Sequence, residues 1–151
     1  MKNQLYCYKY PHPAVTVDCV IFAKERSNFK VLLIKRGNEP FKEKWALPGG
    51  FLNINESAEE GALRELKEET GISNAPIEQL HTFTNPDRDP RERVISIVYF
   101  ALIELKDVIA GDDAKEANWF PITEIPDLAF DHELIIEKAL KRLKEKLPDF
   151  N

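Results

Sequence analysis

The chain has few cysteines, lacks a long hydrophobic run and has no surplus of positive charge. Its two cysteines, Cys7 and Cys19, lack the spacing of a metal-ligand motif, so we expect reduced thiols in a cytoplasmic protein. No apolar run approaches the length of a membrane span. The first ten residues mix Lys2, Gln4 and Lys9 with tyrosines, a pattern that predicts no signal peptide.

The charge balance and the length narrow the class of protein further. The 151 residues include 21 Lys and Arg against 26 Asp and Glu, a formal net charge of −5. Nucleic-acid binding relies on Lys and Arg contacts with phosphates, so we expect no nucleic-acid partner. A small polyanionic ligand remains compatible, because bound divalent cations can reverse the local field. Without repeats, low-complexity segments or linkers, residues 1–151 are predicted to form a single domain.

Periodicity predicts strands, a helix, further strands and a second helix. The first helix should cover Ala58–Thr70, because Ser57 and Glu60 form a capping box and Gly71 is a typical stop. The second is amphipathic and covers 131–147. Strands are predicted at 14–22 and 29–36, which suggest a hairpin, and at 45–51, 77–83, 94–105 and 118–122, with 110–117 as a turn region. This order predicts an α/β fold with helices flanking a largely non-parallel, mixed sheet.

Negative charge is concentrated in the first predicted helix, just after two glycines. Six glutamates lie between positions 56 and 69, with only Arg64 and Lys67 to offset them. At about 100° per residue, one outward helix face carries four of the charged side chains: Arg64, Glu65, Glu68 and Glu69. Such neighbouring carboxylates repel unless they share a proton or bind a cation. Oxygen-only ligands suit Mg²⁺ or Mn²⁺.

Two interpretations of these glutamates compete. In the first, the backbone carbonyl of Gly50 joins the carboxylates around divalent cations, which clamp a phosphoryl group for attack by water. This interpretation predicts metal-assisted hydrolysis of a phosphate or diphosphate. In the second, the acidic face is merely solvated. Glu59 and Glu60 suit the second interpretation, because acidic residues favour the first turn of any helix.

The stretch from position 50 to position 72 resembles the Nudix box, G-x5-E-x7-R-E-U-x-E-E-x-G-U, where U is a bulky aliphatic residue. Nine constrained positions are matched, by Gly50, Glu56, Arg64, Glu65, Leu66, Glu68, Glu69, Gly71 and Ile72. The resemblance implies an α/β/α sandwich that hydrolyses a nucleoside diphosphate linked to another group. It also implies metal ligation by Glu65, Glu68 and Glu69, supported by Glu56 and the Gly50 carbonyl. Arg64 would orient the glutamates. The water-activating base would be a glutamate, with Glu68 as the candidate within the box and a glutamate elsewhere in the chain as the alternative.

Segments beside the box are similar to bacterial ADP-ribose pyrophosphatases and to Nudix-derived regulators of NAD metabolism. They are FKEKWALPGGF before the box, HTFTNPDRDPRERVISIVYFALI after it, and LAFDH at 128–132. The implied reaction converts ADP-ribose and water to AMP and ribose 5-phosphate, in a homodimer. Two alternatives stay open, an oxidised-nucleotide triphosphate pyrophosphohydrolase and a non-catalytic sensor of ADP-ribose or NAD metabolites. Related regulators carry a winged helix after the Nudix domain, and we expect none here, because the sequence ends directly after the second predicted helix.

Several residues outside the box are candidates for contact with the nucleotide substrate. Arginine suits bidentate phosphate contacts, and loop arginines suit the ribose-phosphate end. The competing interpretation is that each of these arginines is a solvated surface charge. Trp45 either stacks on a base or packs beside the glycine turn. Asp131 is predicted as the N-cap of the last helix, and with His132 it is also a candidate for contact with substrate or a dimer mate. The substrate-binding candidates are Arg36, Trp45, Arg88, Arg91, Arg93 and His132.

Overall fold

The computed structural model describes residues 4–148 and 150 of the chain. That part of the chain forms seven strands and two helices. In chain order they are β1 (Ala14–Glu25), β2 (Asn28–Arg36), β3 (Trp45–Ala46), β4 (Gly49–Phe51), α1 (Ala58–Thr70), β5 (Glu78–Phe83), β6 (Val94–Glu104), β7 (Ala114–Pro121) and α2 (His132–Lys146). Neither helix is long and apolar enough to cross a membrane.

The strands form one mixed sheet, as predicted. β1 lies inside it, antiparallel to β2 and parallel to β6, and β5 pairs antiparallel with β6. The predicted hairpin is confirmed, with residues 22–25 of β1 opposite 28–31 of β2. Beyond that point the two strands separate, because β4 pairs with residues 16–18 of β1 while β3 pairs with 34–35 of β2. The two short strands therefore lie in the gap between β1 and β2.

Hydrophobic clusters cover both faces of this sheet. Successive side chains of β1 point to opposite faces, as the two-residue period of a strand requires. Val17, Cys19 and Ile21 join Ala62 and Leu66 of α1 in one cluster. Val20 and Phe22 join the other, with Ile135, Ile136, Ala139 and Leu143 of α2. Burying a large apolar side chain contributes about 1.5–3 kcal/mol, so the two clusters fix one helix on each face and confirm the predicted sandwich.

The bounds of α1 agree with the prediction, and those of β7 do not. At the start of α1, Ser57 Oγ accepts the Glu60 N–H at 3.1 Å and the Glu60 carboxylate accepts the Ser57 N–H at 2.8 Å. At its end Gly71 adopts a left-handed φ of 79°. The prediction of a turn over 110–117 is wrong for 114–117, which belong to β7. These charged residues have a weak strand pattern, and pairing with residues 34–36 of β2 decides their conformation.

Candidate metal and substrate site

Gly50 lets α1 approach the short strand β4. It pairs with Val17 of β1, and α1 passes over it. A Cβ atom at position 50 would lie 2.6 Å from Oε1 of Glu65. Because glycine has no side chain, the Glu65 carboxylate can lie directly against the β4 backbone. The predicted neighbourhood of glycine backbone and box carboxylate is therefore present.

Arg64 links three of the box glutamates. Its Nε and Nη2 donate to the two oxygens of Glu56 at 2.8 and 2.6 Å. Its Nη1 donates to Glu65 at 2.8 Å and to Glu68 at 3.2 Å. The side-chain hydrogen bond from Arg64 lowers the pKa of Glu56 to about 2, so this carboxylate stays ionised. The arginine thereby holds the negative charge of these three carboxylates in a defined arrangement.

Glu69 departs from the expected outward orientation. Sequence spacing grouped it with Glu65 and Glu68 on one exposed face, but only 7% of Glu69 is exposed. The prediction is wrong for this residue because its side of α1 faces β1 and β4, whereas Glu68 remains open to solvent. Burial raises the pKa of Glu69 to about 9, and the nearby charges of Glu65 and Asp18 act in the same direction, against the Gly49 backbone N–H.

One oxygen of this buried carboxylate lacks a partner. Glu69 Oε2 is inaccessible to solvent and accepts no hydrogen bond from the described residues. Buried polar atoms are nearly always satisfied, so an orphan oxygen calls for an explanation. Burial also raises the pKa of Glu65. A buried and a half-buried carboxylate beside a glycine backbone, with one oxygen unsatisfied, are a donor set that fits a hard divalent cation.

The ligands are not grouped around a common point in this arrangement. Within residues 4–148 and 150, no three His, Cys, Asp or Glu side chains are close enough together to hold an ion as they stand. Arg64 bonds to one oxygen each of Glu65 and Glu68. The fit of a divalent cation to this site therefore rests on the chemistry of the donor groups and on the unpaired oxygen of Glu69.

A cavity of about 460 Å³ opens beside β4 and α1. Most of the predicted anion-binding and metal-binding side chains meet there, although they come from distant parts of the chain. Its carboxylates include Asp18, Glu65, Glu69 and Asp89, its arginines are Arg36, Arg88 and Arg91, and its aromatic residues are Phe51 and Phe130. Cationic and anionic walls in one cavity suit a ligand that carries phosphates and is held partly through cations.

Two of the arginines are stacked against aromatic rings. The Arg36 guanidinium carbon lies 4.9 Å from the centre of the Phe130 ring, and Nε donates to the Pro40 carbonyl at 2.8 Å. Arg91 lies 4.8 Å from the Phe51 ring and 5.5 Å from the Phe130 ring. Burial, with the neighbouring charge of Arg91, lowers the pKa of Arg36. The rings cover the guanidinium faces, and the wall carries positive charge suited to phosphate oxygens.

The third arginine, Arg88, is anchored by the last helix. Its Nε and Nη2 donate to the two oxygens of Asp131 at 2.9 and 2.7 Å, and only 8% of Arg88 is exposed. Asp131 stands at the N-cap of α2, as predicted, but its side chain makes no capping hydrogen bond. The capping prediction fails for the side chain because the carboxylate pairs with Arg88. The local sequence determines that Asp131 stands at the start of the helix, whereas the tertiary structure determines that its carboxylate binds Arg88.

His132 is buried beneath the same cavity. Its Nδ1 accepts the backbone N–H of Leu47 at 3.0 Å, which places the ring proton on Nε2. Nε2 lies 3.6 Å from Asp18 Oδ1, and the other Asp18 oxygen accepts the Ser96 hydroxyl. Burial lowers the pKa of His132, so the imidazole is neutral. The predicted substrate candidate thus lines the cavity but uses Nδ1 to hold backbone.

Trp45 and Arg93 do not line the cavity. The Trp45 ring packs edge-to-face on Phe120 with centres 4.7 Å apart, which supports packing over base stacking. Arg93 donates to the Thr84 carbonyl at 2.6 Å. Among the residues that sequence reasoning missed, Asp18 had a usable signal, because a lone acidic residue inside an apolar strand is costly to bury without a role. Phe51 and Phe130 had none.

A family model described as the NUDIX domain matches residues 12–143. The chain belongs to the NUDIX family. Over 141 residues this NUDIX protein is 49% identical to the ADP-ribose pyrophosphatase of Methanocaldococcus jannaschii, covering 93% of its own length and 81% of that enzyme. The predicted relationship to ADP-ribose pyrophosphatases is therefore confirmed.

Two further relatives concern ADP-ribose recognition. The NUDIX protein is 37% identical to the ADPR responsive transcriptional repressor NtrR of Acinetobacter baylyi, over 91% of its own length and 57% of the repressor. The solved NUDIX domain of Shewanella oneidensis NrtR complexed with ADP ribose matches it with a TM-score of 0.84 and 37% identity. That match covers 89% of this chain and 90% of that domain. The chain spans just over half of the repressor.

Proposed function

We propose that this NUDIX protein hydrolyses ADP-ribose to AMP and ribose 5-phosphate with the help of Mg²⁺ or Mn²⁺. The observation that carries the proposal is the buried Glu69 carboxylate, which has one oxygen without a hydrogen-bond partner among the described residues and belongs to a residue that lines a cavity walled by arginines. Such a site offers cation ligands and anion-binding groups a short distance apart, as a diphosphate requires. Similarity to an ADP-ribose pyrophosphatase over most of the chain supports the choice of substrate.

The box carboxylates would hold the cation. Glu65 lies against the Gly50 backbone and Glu69 near the Gly49 N–H, and Arg64 links Glu56 and Glu68 to Glu65. The Gly50 carbonyl is the candidate backbone ligand. When bound, the cation would polarise the diphosphate and increase the acidity of a water molecule.

The remaining steps belong to side chains of the protein. Arg36 and Arg91 bind the diphosphate through N–H groups that are not already paired, because Arg36 Nε donates to Pro40 and Arg91 Nε and Nη2 donate to Asp89. Arg88, fixed by Asp131, binds at the ribose-phosphate end. Glu68 is exposed, and it accepts the proton when water oxygen bonds to phosphorus and the bridging P–O bond breaks. That bridging oxygen leaves with one of the two phosphate products.

Glu68→Gln tests the proposed base. We expect kcat to fall by about 10²–10⁴-fold, because the amide cannot accept the proton. The unfolding midpoint should stay close to wild type, because the side chain is exposed. Glu59→Gln, an exposed glutamate in the first turn of the same helix, is the matched control and should keep wild-type turnover. Unchanged kcat in Glu68→Gln would remove this residue from the mechanism.

Product identity tests the substrate and separates the enzyme alternatives. With Mg²⁺ or Mn²⁺, ADP-ribose should yield AMP and ribose 5-phosphate, identified by chromatography and mass spectrometry. An oxidised nucleoside triphosphate that yields monophosphate and pyrophosphate at a higher kcat/KM would support the sanitising alternative instead.

A sensor is the second candidate, because one relative is an ADPR responsive repressor. It predicts ADP-ribose binding in calorimetry with no product after long incubation with either metal. The intact set of box glutamates favours catalysis, and the net charge of −5 favours a small nucleotide partner over nucleic acid.

We further propose one domain over residues 1–151 and a cytoplasmic homodimer. Light scattering that reports twice the chain mass would support the dimer.

A further inference from the structure

Residues 128–132 form a connection between the two walls of the cavity; we call this stretch the 128–132 segment. It runs from the connection after β7 into the first residue of α2 and comprises Leu128, Ala129, Phe130, Asp131 and His132. Four of these five residues contact residues that the proposed function uses, or the backbone that carries them. The contacts divide into a carboxylate side and an arginine side.

On the carboxylate side, the 128–132 segment holds the backbone that leads to Gly50. His132 Nδ1 accepts the Leu47 N–H at 3.0 Å, and the Ala129 N–H donates to the Trp45 carbonyl at 2.8 Å. From the other side, β1 holds the same stretch, since the Cys19 N–H donates to the Pro48 carbonyl at 2.8 Å. The position of Gly50 against Glu65 thus depends on support from two directions.

On the arginine side, neighbouring residues of the same segment fix the cationic wall. Asp131 accepts two hydrogen bonds from Arg88, which is buried. The Phe130 ring lies beside the guanidinium groups of Arg36 and Arg91. A bidentate carboxylate contact fixes the plane of an arginine as well as its place, which matters where an anion must be met at defined geometry.

We infer that the 128–132 segment positions both halves of the site, with His132 setting the backbone before Gly50 and Asp131 setting Arg88. His132 is in this view a positioning residue. It is only 4% exposed, and Nδ1 is committed to Leu47. The inference rests on the proposed function, which gives the two halves their roles. It predicts two separable effects: substitution of His132 changes the affinity for the cation, and substitution of Asp131 changes the affinity for the anionic ligand.

The two ring nitrogens of His132 can be tested separately. His132→Asn keeps a hydrogen-bond acceptor near the place of Nδ1, whereas His132→Gln keeps a polar atom near Nε2 and loses that acceptor. For His132→Gln we expect Mn²⁺ affinity, measured by calorimetry, to weaken on the order of 10-fold, with kcat reduced and KM for ADP-ribose nearly unchanged. His132→Asn should restore most of the Mn²⁺ affinity. His81→Asn, at an exposed histidine, is the matched control.

Asp131→Asn tests the arginine side. Loss of the charge frees Arg88, so the Kd for ADP-ribose should rise about 10-fold while Mn²⁺ affinity stays at the wild-type value. Asp127→Asn, an exposed aspartate just before the segment, should change neither. This arm is independent of His132 and remains informative if His132→Gln does not fold.

The outcomes distinguish the inference from the proposed function. If wild-type protein binds Mn²⁺ but does not hydrolyse ADP-ribose, the function fails, and a selective loss of Mn²⁺ affinity in His132→Gln still supports the inference. If wild type is active and the folded His132 variants share wild-type Mn²⁺ affinity, His132 does not position the metal side. Equal effects of Asp131→Asn on both ligands would overturn the division into two halves.

Discussion

At the residue scale, Glu69 is both buried and a candidate cation ligand. Burial disfavours the charged carboxylate that a cation would need, unless the cation is bound. The folded environment raises its pKa to about 9, and burial is the main cause. In the unfolded chain the pKa is about 4.3. The protonated carboxyl therefore stabilises the fold fully below about pH 4.3, and this contribution is lost as pH rises toward about 9. A residue suited to binding a cation thus makes the metal-free protein less stable near neutrality.

This leads to a prediction for Glu69→Gln. In buffer with a chelator, the variant should be more stable than wild type by about 1 kcal/mol or more at pH 8, because glutamine needs no proton to be buried. At pH 4 the two proteins should be closer in stability. Urea unfolding across this pH range measures the difference. A constant difference at all pH values would mean that Glu69 titrates normally in the folded state.

Gly50 supports a second residue-scale prediction. A Cβ at this position would collide with the Glu65 carboxylate, so Gly50→Ala should displace that ligand and lower kcat by about 10²-fold. Stability should change little, because the clash is with the flexible end of a side chain. Gly71→Ala should show the opposite pattern, a loss of stability with little change in kcat. A left-handed φ of 79° at the helix end costs about 1 kcal/mol for alanine. Steady-state kinetics and urea unfolding of both variants make the comparison.

At the element scale, α1 is a helix whose ends are set by its own neighbours in sequence. The Ser57 and Glu60 side chains each accept a backbone N–H of the other residue. Ser57→Ala should therefore lower the free energy of unfolding by about 1 kcal/mol. Ser73→Ala, at an exposed serine after the helix, should change it by less than about 0.5 kcal/mol. Equal effects in urea unfolding would show that the cap contributes nothing.

The strands depend less on local sequence than α1 does. The first four residues of β7 carry a mixed, charged pattern that predicted a turn, yet they pair with β2. The pairing partner comes from a strand about 80 positions earlier, so a local pattern has no access to it. The long apolar β6 was identified correctly, because a strand buried on both faces between β1 and β5 needs an almost continuous apolar run.

At the scale of the whole molecule, the cavity exists because β1 and β2 separate and the 128–132 segment spans its walls. Because the residues that line the cavity come from distant parts of the chain, a ligand bound there should stabilise the entire fold. With Glu68→Gln to prevent turnover, ADP-ribose and Mg²⁺ at about 100 times Kd should add about 2.7 kcal/mol to stability, seen as a higher unfolding temperature. Arg36→Ala or Arg91→Ala should reduce this shift. Arg93→Ala should not, because Arg93 does not line the cavity.

The sequence by itself determined the family, the α/β sandwich, the helix bounds of α1 and the box residues, because these follow from fixed spacings within 23 consecutive positions and from local periodicity. Only the tertiary structure decided that Glu69 is buried, that Asp131 binds Arg88, and that Trp45 packs against Phe120 away from the cavity. Each of those outcomes depends on a partner more than 40 positions distant or on which side of a helix meets the sheet. Spacing along one chain specifies neighbours on an element, whereas burial and pairing depend on what the rest of the chain places opposite it.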